Sequence, residues 1–204
     1  MSGGEPRLGR GASARREKQV LRISALKKRR SIDPDTLQEL SLRVEENLAS
    51  LEEYKSARVI VSYCAKEDEV QTRHIIERAL SEGKRVAVVL TNVSTRTLSF
   101  SEIRSFDDLA PGAFGILEPR RERLRPVPIS AAGAILVPLV AWDRMGHRLG
   151  YGAGYFDRAL SKAKGVVKIG LALESQALPS IPESRHDVPL DIIVTEQRVV
   201  RVKP

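Results

Sequence analysis

Between Val137 and Leu160 the chain reads VPLVAWDRMGHRLGYGAGYFDRAL, and this stretch gathers residue types suited to phosphate chemistry. Arg148 carries a planar fork of donors that matches phosphate oxygens. Gly150, Gly152 and Gly154 let the backbone approach an anion and aim free N–H groups at it, the more so where the loop opens a helix. Asp157 adds a carboxylate of the kind that holds a divalent cation. The spacing matches neither G-x-G-x-x-G nor G-x-x-x-x-G-K-[ST], so on glycine spacing alone a phosphate cradle and a plain tight turn stand as equal readings.

Other residues could join this chemistry. Lys18 and Arg22 lie four apart, so on a helix they share one side and can converge on an anion, although a solvated basic face explains them as well. Glu69 opens a helix, where a carboxylate favours the dipole and needs no ligand; the lesser reading is a pocket carboxylate that accepts hydrogen bonds. Histidine occurs only at positions 74, 147 and 186, too scattered for a Ser-His-Asp set. His186 and Asp187 are adjacent and point to opposite sides if extended, which argues against a joint role. The single cysteine, Cys64, excludes an intrachain disulfide and a Cys-rich zinc site, and fits a reducing compartment.

The elements that must position these groups follow from periodicity. An apolar strand from Ala134 to Ala141 runs into the glycine-punctuated turn containing Gly146, Gly150, Gly152 and Gly154, and a helix leaves it with Tyr155, Phe156, Ala159 and Leu160 as apolar positions. Arg58–Cys64 reads as a buried strand. A polar run, Ala65–Glu69, follows, then a helix over 70–81 stopped by Gly83, and a strand over Val86–Leu90. That order predicts a parallel α/β unit with a right-handed crossover, its ligands beyond the carboxyl ends of the strands. Before it, residues 15–30 read as a helix with an apolar stripe of Val20, Leu21, Ile23 and Leu26. Asp33-Pro34 caps and starts a second, with Leu37, Leu40, Val44, Leu48 and Leu51 as core. A short strand over 97–100, a helical turn over 103–109, strands over 166–173 and 190–195, and an edge strand over 199–202 complete the chain. Arg120–Arg125 reads as a solvated loop cluster.

The chain has 204 residues, enough for one domain with a sizeable core. Its net charge of +8 is local: residues 1–30 hold ten Lys/Arg against Glu5 and Glu17, and the other 24 basic residues are matched by 24 acidic ones. The body is therefore no basic nucleic-acid platform, and no aromatic residue stands among the N-terminal charges to stack bases. No apolar run reaches the roughly 18 residues of a membrane span, and no secretory h-region follows the N-terminus. Residues 1–14 hold almost no apolar side chains and are expected to be a disordered leader, with 15–204 a single α/β domain. A transit peptide is the lesser reading of that leader, because so few apolar side chains cannot form an amphipathic face.

The string VPLVAWD..G.RLGYGAGYFDR closely resembles the signature of the 5-formyltetrahydrofolate cyclo-ligase family: a V-P-x-x-A-[FW]-D strand end, G-x-R-L-G, then G-x-G-Y-[YF]-D-R. Lys18-Gln-Val-Leu21-Arg22 matches the family's K-x-x-L-R, and Phe114-Gly-Ile-Leu-Glu118-Pro119 its G-I-x-E-P. The resemblance implies a three-layer, mostly parallel sheet flanked by helices, of the sugar-phosphate isomerase/CoA-transferase-like type. It implies ATP- and magnesium-dependent cyclisation of 5-formyltetrahydrofolate to 5,10-methenyltetrahydrofolate, with ADP and phosphate released. Phosphorylating the formyl oxygen turns a poor leaving group into a good one; such transfer needs positioning and charge neutralisation more than an acid–base pair.

By the same resemblance Lys18 and Arg148 hold phosphates and, with Tyr155, form the catalytic set. Arg22 lies at the nucleotide–folate junction. The ATP-binding run extends from Arg148 through Leu149, Gly150, Tyr151, Gly152, Ala153, Gly154 and Tyr155 to Phe156. The folate is bound by Arg22, Cys64, Glu69, Tyr151 and Tyr155, and magnesium by Asp157 and Asp187. Trp142, where the family often has phenylalanine, is read as packing, and His186 as structural. Ala153 departs from the glycine or lysine usual in the family, so a lysine contact to phosphate is missing there. The expected setting is a cytoplasmic monomer that binds a folate and ATP, with no membrane and no nucleic-acid partner. Another enzyme on the same architecture is the weaker rival. The alternative in a different class is an inactive cyclo-ligase-like domain holding RNA through its basic N-terminus.

Overall fold

The structure, a computed structural model, describes residues 10–202. Two helices open it, α1 (Arg10–Arg30) and α2 (Pro34–Ser50), followed by the short α3 (Glu52–Ser56). The first parallel unit is β1 (Val59–Ser62), α4 (Arg73–Ser81) and β2 (Arg85–Asn92), and β3 (Thr97–Ile103) returns along β2. A small ribbon of β4 (Leu109–Pro111) and β5 (Leu117–Pro119) precedes β6 (Ala134–Pro138). A hairpin of β7 (Ala141–Trp142) and β8 (Arg148–Leu149) leads into the glycine loop and α5 (Tyr155–Leu160). The chain closes with β9 (Val167–Leu171), β10 (Ile192–Val194) and β11 (Val199–Arg201).

Seven strands form one sheet in the order β11-β10-β9-β6-β1-β2-β3. β10, β9, β6, β1 and β2 run parallel, and β11 and β3 are antiparallel at the two edges. This is the expected mostly parallel α/β sheet with flanking helices. Val59–Ser62 and Ala134–Val137 are buried on both faces, as parallel strands covered by helices must be. One apolar cluster lies under α2 and α4, and a second lies on the opposite face with Trp142, Ala159, Leu160 and Val166. From the central pair β1–β6 the chain winds outward in both directions, so the crevice beyond their carboxyl ends is the switch point where such sheets bind ligands.

Several expected elements shift. α1 starts at Arg10, so Arg10–Ala14 is helical and the expected leader is corrected there; residues 1–9 lie outside the described residues. Half of its apolar stripe is corrected: Leu21 and Leu26 pack as expected, joined by Ala25, whereas Val20 and Ile23 are 62% and 60% exposed. The helical turn expected over 103–109 shrinks to Phe106–Asp108, because Ile103 continues β3 and Leu109 begins β4. The apolar run 134–141 is no single strand: it breaks after Pro138, and Ala141 and Trp142 pair with β8. α2 starts as expected, with the Asp33 carboxylate accepting from the Thr36 N–H at 2.9 Å, a cap worth about 1 kcal/mol.

Candidate active site

The loops after β1 and β6, the glycine loop 150–154 and the segment 184–188 meet at the switch point, and α1 lies across them. At one end of the site, Lys18 is 8% exposed and forms an ion pair with Asp187, its Nζ also donating to Ser184 Oγ at 3.0 Å. The Ser184 N–H donates to the same Asp187 oxygen, Oδ2, at 2.8 Å. Beside it, Arg148 Nη2 donates to Asp157 Oδ1 at 2.7 Å, and Arg148 Nη1 to the Val188 carbonyl. The Val188 N–H meets Asp157 Oδ1 at 3.2 Å. Burial lowers the pKa of the Arg148 guanidinium, while Asp157 and Asp187 act to raise it. Two cations and two carboxylates, from four separated places in the chain, thus form one neutral cluster.

Each carboxylate commits only one oxygen. Asp157 Oδ2 and Asp187 Oδ1 accept no hydrogen bond among the described residues. Two carboxylates with a free oxygen each suit magnesium, which takes oxygen ligands and completes its shell with water and phosphate. Among the described residues no group of three or more His, Cys, Asp or Glu is clustered for a metal, so any cation held here would draw further ligands from its substrate.

The glycine loop sits against the middle of α1. Arg22 Nε donates to the Gly150 carbonyl at 2.6 Å and Nη1 to Gln19 Oε1 at 2.6 Å, and burial lowers the pKa of the Arg22 guanidinium. A Cβ on Gly152, whose φ is +98°, would stand 3.3 Å from that guanidinium. Gly154, at φ +70°, turns the chain into α5. α5 has only six residues, so its dipole is small and the attraction for an anion falls to Lys18, Arg22 and Arg148. The Ala153 carbonyl accepts from Arg158 Nη2 at 2.8 Å, which pins the far side of the loop. Gly146 belongs to the preceding hairpin, whose turn Asp143 holds by accepting from the N–H groups of Met145 and His147.

At the other end of the site lies a buried polar knot. Glu69 is 5% exposed. Its Oε2 accepts from the Lys66 N–H at 2.9 Å and its Oε1 from the Tyr151 hydroxyl at 3.0 Å. Burial and the nearby Glu69 charge push the Tyr151 hydroxyl above its ordinary pKa, so it stays a donor. Lys66 Nζ lies 4.4 Å from the centre of the Tyr151 ring and 5.9 Å from that of Phe114. Tyr155 meets Phe114 edge-on, centroids 6.4 Å apart. Phe114 is 63% exposed with a positive φ of 58°, an apolar face presented at the mouth of the crevice.

Of the residues picked out from the sequence, Lys18, Arg148, Asp157 and Asp187 meet at one end, Arg22 and Gly150–Gly154 in the middle, and Glu69, Tyr151 and Tyr155 towards the other. Leu149 is fully buried in the small cluster under α1, and Phe156 packs against both apolar clusters. Cys64 belongs to the core under α4, its thiol pushed up to about 12 by burial and by Glu118. Trp142 is fully buried, donating to the Leu173 carbonyl at 3.2 Å, and so packs as expected. His186, expected to be structural, is exposed. Arg123 and Arg125, expected to be solvated, pair with the buried Asp108 at 2.9 and 2.8 Å.

Arg29, Lys66, Asp68, Phe114 and Ser184 escaped sequence reasoning. Only Arg29 left a signal: it follows Lys18 by eleven residues and Arg22 by seven, and so shares their helical face.

Residues 14–196 match the 5-formyltetrahydrofolate cyclo-ligase family. The 5-formyltetrahydrofolate cyclo-ligase of Escherichia coli K12 is 28% identical over 175 residues, covering 84% of this chain and 96% of that protein. The Haemophilus influenzae 5-formyltetrahydrofolate cyclo-ligase is 31% identical over 155 residues, with coverage of 74% and 83%. The solution structure of Aquifex aeolicus 5,10-methenyltetrahydrofolate synthetase superposes with a TM-score of 0.81 at 34% identity, covering 92% of this chain and 93% of that one.

Proposed function

The chain belongs to the 5-formyltetrahydrofolate cyclo-ligase family, and from that membership we propose that it cyclises 5-formyltetrahydrofolate to 5,10-methenyltetrahydrofolate, with ATP converted to ADP and phosphate. The observation that carries the proposal is the four-residue cluster of Lys18, Arg148, Asp157 and Asp187 beside a glycine loop, at the switch point of the sheet. A neutral cluster of cations and carboxylates suits a nucleotide. Phosphate oxygens replace the carboxylates as partners of Lys18 and Arg148, and the displaced carboxylates take the counter-cation.

In this reading the backbone of Gly150, Tyr151, Gly152, Ala153 and Gly154 lines the transferring phosphoryl group. Arg22, tied to Gly150, stands where nucleotide and folate meet. Glu69 takes the amino-pyrimidine edge, with Tyr151, Tyr155 and Phe114 as aromatic walls and Cys64 behind them. Asp157 and Asp187 hold magnesium, which supplies charge neutralisation on the phosphates when bound. The γ-phosphoryl moves to the formyl oxygen, with ADP leaving. Nitrogen-10 attacks the activated formyl carbon and gives up its proton to the departing phosphate or to water, and the carbon–oxygen bond breaks to release phosphate. The rival reading, an RNA-holding N-terminus, fits less well, because Lys18, Arg22 and Arg29 are turned into the site.

The test is a turnover assay. Purified protein is mixed with 5-formyltetrahydrofolate, ATP and magnesium, and the methenyl product is followed by its absorbance. Product that requires both ATP and magnesium, and that falls by at least about 100-fold in Asp157→Asn, supports the proposal. A folded wild-type protein that binds ATP and yields no product overturns it.

A further inference from the structure

Among the described side chains Arg29 is the most buried charged residue of α1, 2% exposed, and every arm of its guanidinium is used. Nε and Nη2 donate to Asp68 Oδ2 at 3.3 and 2.9 Å, Nη1 to the Leu139 carbonyl at 3.1 Å, and Nη2 also to the Tyr151 hydroxyl at 2.6 Å. Its partners come from three different segments: the loop after β1, the chain leaving β6, and the glycine loop. The Tyr151 hydroxyl passes the connection on to Glu69 at 3.0 Å. Burial alone lowers the pKa of an arginine; Tyr151, Asp68 and Glu69 more than offset it here, so the charge is held in place.

We infer that Arg29 is a positioning residue: it sets Glu69 through Tyr151, and so governs binding at the folate end of the site more strongly than at the phosphate end, which it reaches only through the loop that carries Tyr151. The chain of contacts is Arg29 to Tyr151 to Glu69 on one side and Arg29 to Asp68, next to Glu69, on the other. Lys18 lies eleven residues away, about 16 Å along the helix, and no contact of Arg29 reaches Lys18, Arg148, Asp157 or Asp187. A merely structural arginine would dock α1 as a whole and affect both ends alike. This inference rests on the folate reading of Glu69, but the loop-positioning part of it is measurable without any substrate.

Steady-state kinetics with both substrates varied are run on wild type, Arg29→Lys, Arg29→Met and Tyr151→Phe. Amide hydrogen exchange of the unliganded proteins accompanies them. Arg29→Met is expected to raise KM for 5-formyltetrahydrofolate and lower kcat, with kcat/KM down by as much as about 100-fold, while KM for ATP rises by a distinctly smaller factor. Arg29→Lys restores part of the loss. Tyr151→Phe carries part of it, and the Arg29→Met/Tyr151→Phe double variant loses less than the product of the two singles. In exchange, residues 65–69 and 150–154 lose protection while residues 14–28 keep theirs.

Should Arg29→Met not fold, Arg29→Lys and Tyr151→Phe make the same measurements. Unchanged protection in both loops, or KM values for the two substrates that rise by the same factor, overturns the inference. Looser loops in a protein whose wild type makes no methenyl product would sustain Arg29 as the positioning residue and overturn the cyclo-ligase reading instead.

Discussion

α1 and α2 follow one another in the chain and run to 21 and 17 residues, yet they are held by opposite means. α2 buries Leu37, Val44 and Leu48 with Ser41 between them, and these join the large cluster shared with β1, β6 and α4. α1 buries Lys18 and Arg29, half-buries Arg22, and adds only Leu21, Ala25 and Leu26 against a small separate cluster. Full burial of a Val or Leu side chain stabilises by about 1.5–3 kcal/mol, so α2 is docked by the hydrophobic effect. The inward face of α1 is instead a row of cations whose partners are Asp187, Gly150, Asp68, Leu139 and Tyr151. The lesson is that a helix can be docked by the site it helps to build.

If that contrast holds, the two helices fail differently when cut. Lys18→Met should lower kcat/KM by about 100- to 1,000-fold and leave the thermal midpoint close to wild type, because Asp187 stays partly exposed to water. A folded Lys18→Met with wild-type turnover would remove α1 from the chemistry. Leu48→Ala should do the reverse. It opens a cavity in the main core and costs about 2–5 kcal/mol, read by urea denaturation, while kcat of the folded protein is unchanged. A loss of kcat without a loss of stability would break the comparison from the other side.

Smaller changes sharpen it. Gly152→Ala places a Cβ at φ +98° and 3.3 Å from the Arg22 guanidinium. The left-handed backbone costs about 1–2 kcal/mol, and displaced Arg22 should slow turnover by roughly tenfold, measured as kcat at saturating ATP. A variant as fast as wild type would show that the loop does not depend on Arg22. Smallest is Cys64, which the family resemblance assigns to the folate pocket and which the structure buries in the core on the α2 side of the contrast. With its thiol near pH 12 against about 8.5 when unfolded, it should resist alkylation at pH 8 in the native state. The raised value favours the neutral, folded form: that contribution is complete below about pH 8.5 and is lost as pH climbs towards 12. Rapid native-state labelling would place Cys64 in an accessible wall instead.

The two helices also divide what could be read from the chain. The stripe of α2 and its Asp33 cap were legible because apolar periodicity and a capping carboxylate act locally. The stripe of α1 is legible only in part: Leu21 and Leu26 pack inward, but Val20 and Ile23 look like core residues and face water, and the buried face also carries Lys18, Arg22 and Arg29. A cation turned inward has the same sequence pattern as one turned to water; only its partners, up to 169 residues away, tell them apart. Arg29 went unnoticed for this reason. The glycine loop was legible by composition, but the hairpin that separates it from β6 was not, since Ala141 and Trp142 continue an apolar run and only pairing with Arg148 and Leu149 turns them aside.

The sequence by itself determined the parallel α/β order, the capped and apolar α2, the motif-bearing segment from Val137 to Leu160, and through that motif the family. These depend on short-range periodicity, turn chemistry and residue type. Only the tertiary structure decided that α1 lies across the switch point, that Lys18 pairs with Asp187 and Arg148 with Asp157, and that Arg29 joins three loops to Glu69 through Tyr151. Those relations depend on charged groups finding partners once water is excluded, and no local pattern encodes which partner a buried charge will meet.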